Sequence, residues 1–151
     1  MTQFRFVCCA AWLLCVAFSS MALAEGYGTR QYYGAWHKHT SGYAYRPYYY
    51  KPSPQHVGFK HHYVIRQPKD NKHLYFYNPY KKQYWGRCPI ESAKPSYSLL
   101  KEADRRANLA EIPESAFPPP GDLPPIPGAE DGAILDLPPD DLPDFSALPS
   151  G

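Results

Sequence analysis

The sequence predicts a small α+β or mainly β protein: a three-stranded antiparallel meander plus one short helix, set between large disordered flanks. Three observations predict it. Aromatic and β-branched runs between residues 61 and 89 are separated by turn residues. Apolar residues between 98 and 110 recur at three- and four-residue spacing. The flanking segments are biased in composition, rich in Tyr, Gly and His before residue 61 and in Pro and Asp after residue 117. The chain therefore divides into 1–24, 25–60, 61–117 and 118–151.

Residues 1–24 read as a signal peptide. Arg5 is a short positive start, Phe6 to Phe18 an apolar run, and Ala22-Leu23-Ala24 a small-residue cleavage site before Glu25. The run is interrupted by Ser19-Ser20 and is shorter than the roughly 20 residues a membrane span needs. Leu14 is too large to precede a lipidated Cys15. The expected mature chain is secreted, periplasmic or held at the cell envelope, with no transmembrane segment after cleavage. Cys8, Cys9 and Cys15 leave with the signal, so Cys88 stays alone and no internal disulfide is possible. A buried apolar role for Cys88 is preferred over a free reactive thiol or an intermolecular link.

A formal charge of +2 hides a division. Residues 25–90 hold eleven Lys and Arg against two acids, whereas residues 91–151 hold four against twelve. The basic half also carries all six histidines and thirteen of the fourteen tyrosines. Unlike parts of this kind suggest one small ordered unit between two arms.

Residues 25–60 form the basic arm, with Tyr32-Tyr33-Gly34, Gly42-Tyr43-Ala44-Tyr45 and Tyr48-Tyr49-Tyr50 and almost no aliphatic side chains. Such a segment cannot close a core alone. Arg46-Pro47 and Lys51-Pro52-Ser53-Pro54 favour extended backbone, and Tyr43 to Tyr50 has the makings of an edge strand. The ordered unit follows, with strands near 61–67, 73–78 and 83–88. Pro68-Lys69-Asp70-Asn71 is turn chemistry, and Asn78-Pro79-Tyr80-Lys81 fits a type I turn. Connections this short require antiparallel neighbours. Period-two alternation sends Leu74 and Phe76 to one face, assigned to the core, and Tyr75 and Tyr77 to the other.

The helix is expected near 98–110, with Ser98 as N-cap, Ala103, Ala107 and Ala110 on its apolar side, and Leu99, Leu100 and Leu109 covering the meander. Pro113 ends it, and Phe117 can dock back. Beyond Pro118 the Pro-Pro pairs and scattered aspartates predict a solvated tail. About fifty ordered residues fall below the roughly 70–80 at which a single core is comfortable.

Four histidines are candidate metal ligands. His37-Lys38-His39 places two imidazoles on one side of an extended segment, a geometry suited to Cu or Zn, and His61-His62 is the second pair. The spacing lacks the converging set of a defined zinc site, so a polar, mildly basic surface is preferred and no cofactor is expected. The tyrosine arm combines large contact area with little entropy to lose, which suits adhesion to an envelope protein or a glycan surface. Export argues against nucleic acid, the other target of aromatic-plus-basic segments. The acidic tail is able to fold back on the basic half, +9 over residues 25–90, or to meet the arm of another molecule in self-association. No Gly-x-Ser-x-Gly, His-Glu-x-x-His, phosphate loop or cysteine-nucleophile signature is present, so an enzyme is not expected.

Two resemblances add to this. Tyr75-Phe76-Tyr77-Asn78 with Trp85 and Pro89 resembles the second half of a WW domain, a three-stranded meander that binds proline-rich peptides in an aromatic groove. That resemblance implies a groove lined by Tyr77 and Trp85. Phe117-Pro118-Pro119-Pro120 or Leu123-Pro124-Pro125-Ile126-Pro127 would be its ligand in cis. Tyr63 is nearest to the place of that family's first-strand tryptophan. The whole layout also resembles small, tyrosine-rich secreted proteins of planctomycete-type bacteria. It does so in the Tyr-Gly arm, Tyr77 to Arg87, Tyr97-Ser98-Leu99-Leu100, Ile112 to Pro118 and the Pro/Asp tail. That resemblance implies export and a shared small fold. The expectation is a secreted, non-enzymatic interaction or envelope-associated protein presenting an aromatic and basic surface. The alternatives are a histidine-based metal-binding protein and a peptide- or glycan-binding module.

Overall fold

A computed structural model describes residues 29–148. The signal segment, its cleavage site and the first three cysteines lie outside the described residues. The fold is mainly β: one antiparallel sheet of seven strands. They are β1 (Gln31–Tyr33), β2 (His37–Lys38), β3 (Ala44–Tyr50), β4 (Lys60–Arg66), β5 (His73–Asn78), β6 (Gln83–Pro89) and β7 (Ser98–Leu99). The spatial order is β1-β3-β4-β5-β6-β7, with β2 beside β1 on the same edge of β3. No helix among the described residues is long and apolar enough to cross a membrane.

Three expectations are corrected. The first is the disordered arm. Residues 30–50 supply β1, β2 and β3, and β3 is an inner strand, paired with β4 from Ala44↔Arg66 to Tyr50↔Lys60. Aliphatic residues are scarce here, but tyrosine replaces them. Tyr48 and Tyr50 are buried, and each hydroxyl finds a partner, on Gln31 Oε1 at 2.7 Å and on His62 Nε2 at 3.1 Å. A buried phenol needs such a partner, and strand pairing provides it. Pro47 is tolerated because β1 and β2 are interrupted opposite it. Its carbonyl takes the Gly34 N–H at 2.9 Å, and its missing N–H faces the same gap.

The second correction concerns the meander and helix. β4, β5 and β6 are consecutive antiparallel neighbours, but they form the middle of a larger sheet. Among the described residues no α-helix follows them. Residues 98–99 are β7, and three single 3-10 turns follow, at Glu102–Asp104, Leu109–Glu111 and Glu114–Ala116. The outer edge of β6 explains this. Gly86 pairs with Leu99 and Arg87 with Ser98, Leu100 N–H donates to the Trp85 carbonyl at 3.0 Å, and Tyr84 N–H donates to the Arg106 carbonyl at 2.9 Å. A helix would consume those backbone groups internally and leave the β6 edge unpaired.

The third correction is the tail. Residues 123–148 lie along one face of the sheet, with Ile126 and Leu135 each 1% exposed. Side chains of the basic half hold its backbone. Gln31 donates to the Ile134 carbonyl at 2.9 Å, Trp36 Nε1 to the Asp141 carbonyl at 2.8 Å, and Arg66 to the Pro143 carbonyl at 2.8 Å. Arg30 pairs with Asp131 and Arg46 with Asp141, both at 2.6 Å. Two pairs of opposite charges thus meet within one chain, where the tail folds back on the basic half.

Two clusters result. On the tail-covered face, Trp36, Tyr48, Val64, Leu74, Phe76, Trp85, Cys88 and Tyr97 pack with Ile126 and Leu135. Cys88 is a buried free thiol, pushed up to about 12 by burial. On the opposite face, Ile65, Tyr75, Tyr84, Leu100, Ile112 and Phe117 pack beneath the 3-10 turns. Gly86 lets the covered face close: a Cβ there would lie 2.3 Å from the Tyr97 ring.

Candidate functional site

The 3-10 turns cover only the β5–β6 half of the second face. Over β1 to β4 the face stays open and is built almost wholly from rings. Tyr32 stacks on Tyr49 (centroids 4.8 Å), Tyr49 neighbours His61 (6.1 Å), and His61 meets Tyr63 edge-on (5.2 Å). Tyr63 then meets Tyr45 (5.6 Å), which stacks with His37 (5.5 Å) and leads to Tyr43 (6.5 Å) and its stacked partner His39 (4.3 Å). The strands dictate this run. Alternate residues of a strand share a face, and the register Tyr32↔Tyr49↔His61 and His37↔Tyr45↔Ile65 lays rings side by side. All of these rings are half-buried or exposed.

At one end the strip deepens into a cleft of about 560 Å³, lined by His39, Tyr43, Tyr45, Tyr63, Ile65, Gln67, Tyr77, Tyr84, Ala107, Asn108 and Leu109. Among the described residues no Lys, Arg, Asp or Glu lines it. The basic side chains Arg30, Arg46 and Arg66 point instead to the tail on the other face.

Hydroxyl pairing sets the cleft tyrosines apart. Among the described residues, the hydroxyls that pair are those of Tyr33, Tyr48, Tyr50, Tyr75 and Tyr80. On the covered face only Tyr97 is buried with its hydroxyl unpaired. The cleft tyrosines Tyr43, Tyr45, Tyr63, Tyr77 and Tyr84 are all outside the paired set. Burial pushes the phenols of Tyr43, Tyr63 and Tyr84 up, which keeps them protonated and able to donate.

The residues singled out from sequence are dispersed. Tyr77 borders the cleft, 5.0 Å from Tyr84. Trp85 is 6% exposed on the other face, stacked on Tyr97 at 5.3 Å and edge-on to Phe76. An irregularity in the β5–β6 register between Phe76 and Tyr77 accompanies this split. Trp85 instead shares a separate cleft with Tyr50, Tyr80 and Pro124 to Pro127. His37, His39 and His61 belong to the open strip, whereas His62 is buried on the covered face against Tyr50 and Trp85. Among the described residues no three His, Cys, Asp or Glu side chains converge as a metal site would require.

Sequence reasoning passed over Tyr43, Tyr45 and Tyr49 as site residues. The signal was present in their odd-numbered spacing, which places all three on one face of any strand spanning them. No family model, curated protein or solved structure matches the chain.

Proposed function

We propose that this is an exported, non-enzymatic binding protein that presents the open aromatic face of its sheet to a polymer of the cell envelope or its surroundings. One observation carries the reading. Tyrosine hydroxyls on the covered face are, with one exception, paired internally, whereas those of the cleft have no partner among the described residues. Half-buried rings with spare hydroxyls combine apolar area with hydrogen-bonding capacity, the combination that suits recognition surfaces. The tail leaves this face clear by binding the other one.

The test is co-sedimentation with an insoluble envelope fraction stripped of protein by protease and detergent. Replacing Tyr45 and Tyr63 together by Ser should weaken retention about tenfold, from the loss of two ring contacts. Ile134→Ser, an exposed change on the opposite side, should leave it unchanged. Equal retention of both variants would refute the reading.

A further inference from the structure

We infer that the tyrosine cleft is a subsite for a neutral, β-linked glycan whose pyranose rings carry equatorial substituents. This rests on the binding reading above and names the ligand class. Charge decides first. Among the described residues no Lys, Arg, Asp or Glu lines the cleft, so it offers no full counter-charge against the desolvation of a charged group, and an anionic polymer or charged peptide would enter it at a cost. The polar groups decide next. Gln67, Asn108 and His39 stand around the rings, together with the unpaired phenols of Tyr43 and Tyr63. Such hydroxyl and amide groups both donate and accept, as sugar hydroxyls do.

Shape agrees. An equatorially substituted pyranose turns its axial C–H bonds outward from a flat face, and that face is apolar while its rim is polar. It stacks on an aromatic ring and bonds at its edge, the contact this cleft is built to make. The ring strip leading away over β3, β4 and β1 gives a linear chain room to continue beyond one sugar. A proline-rich peptide is the competing occupant. It would bring backbone carbonyls, but few donors for the phenol oxygens and the Gln67 amide oxygen.

The full exported chain should be titrated by NMR with cellohexaose, with chitohexaose, and with a decapeptide copying residues 118–127. Shifts are expected with at least one sugar, localised to Tyr43, Tyr45, Tyr63 and Gln67 and insensitive to salt, because no ion pair forms. Tyr45→Ala should weaken that affinity by about tenfold and Gln67→Ala by about threefold. Trp36 and Trp85 both sit in the opposite cluster, so unchanged tryptophan fluorescence shows that the variants remain folded. No shift with either sugar overturns the inference, as does localised binding of the peptide alone. If the sugars fail while envelope retention still depends on Tyr45 and Tyr63, the ligand class is wrong and the binding reading stands. If retention is also indifferent to those tyrosines, both fall.

Discussion

The two faces of the sheet are made from nearly the same residues and end in opposite states. Tyr48 and Tyr49 are neighbours on β3, one fully buried and one half-exposed. Beneath the tail, tyrosine is a core residue: rings stack on rings, hydroxyls find acceptors, and the remaining space is filled by Ile126 and Leu135. On the open face the same side chain keeps its hydroxyl free. Composition does not separate these roles. What separates them is whether a later segment returns to cover the rings, and the charges direct that return. Arg30, Arg46 and Arg66 all grip the tail on one face.

The sharpest break of this comparison is removal of the cover. Deleting residues 123–151 takes away two aliphatic side chains that are each 1% exposed, and losses of this kind cost about 2–5 kcal/mol apiece. The expected result is loss of a cooperative urea transition and of near-ultraviolet dichroism. A truncated chain that still unfolds cooperatively at the same midpoint would show that the tail is dispensable.

Single residues sharpen it next. Tyr48→Ala should cost about 3–5 kcal/mol, the range for emptying a buried aromatic site. Tyr49→Ala, which loses the stacked partner Tyr32, should cost about 1 kcal/mol or less. Denaturant curves of the pair give the contrast directly, and equal losses would erase the distinction between the faces.

Acid acts on the covered face through a buried histidine. His62 is 2% exposed with Nδ1 unpartnered, and burial lowers its pKa from 6.5 to about 3. Below pH 6.5 the unfolded chain takes up this proton and the folded one does not. Stability should therefore fall with pH from about 6.5 to about 3, at up to about 1.4 kcal/mol per pH unit from this group. His62→Phe should flatten that slope in the pH dependence of urea midpoints; an unchanged slope would mean that His62 is not its source.

The smallest effect is expected at the hairpin. Lys82 closes the β5–β6 turn in the left-handed region, at φ 50°. Lys82→Gly removes that steric cost and adds unfolded-chain freedom, so the net change should stay within about 1 kcal/mol. A thermal melt reads it; a larger loss would mean that the lysine side chain itself holds the turn.

The sequence alone was enough for antiparallel β-structure, with α+β and mainly β both open, and for the alternation that parts Leu74 and Phe76 from Tyr75 and Tyr77. Both are local properties, set by side-chain period and by short turns such as Asn78, whose side chain accepts from the N–H of Tyr80 and Lys81. Tertiary structure alone decided the rest. Periodicity says which residues share a face; it does not say what will lie against that face. Ser98-Leu99 became a strand because β6 had an open edge to satisfy. The proline-rich tail has little secondary structure of its own and is ordered by side chains about a hundred residues away, Gln31 and Trp36 among them. The open face is what remains uncovered, so the candidate site is a consequence of where the tail went.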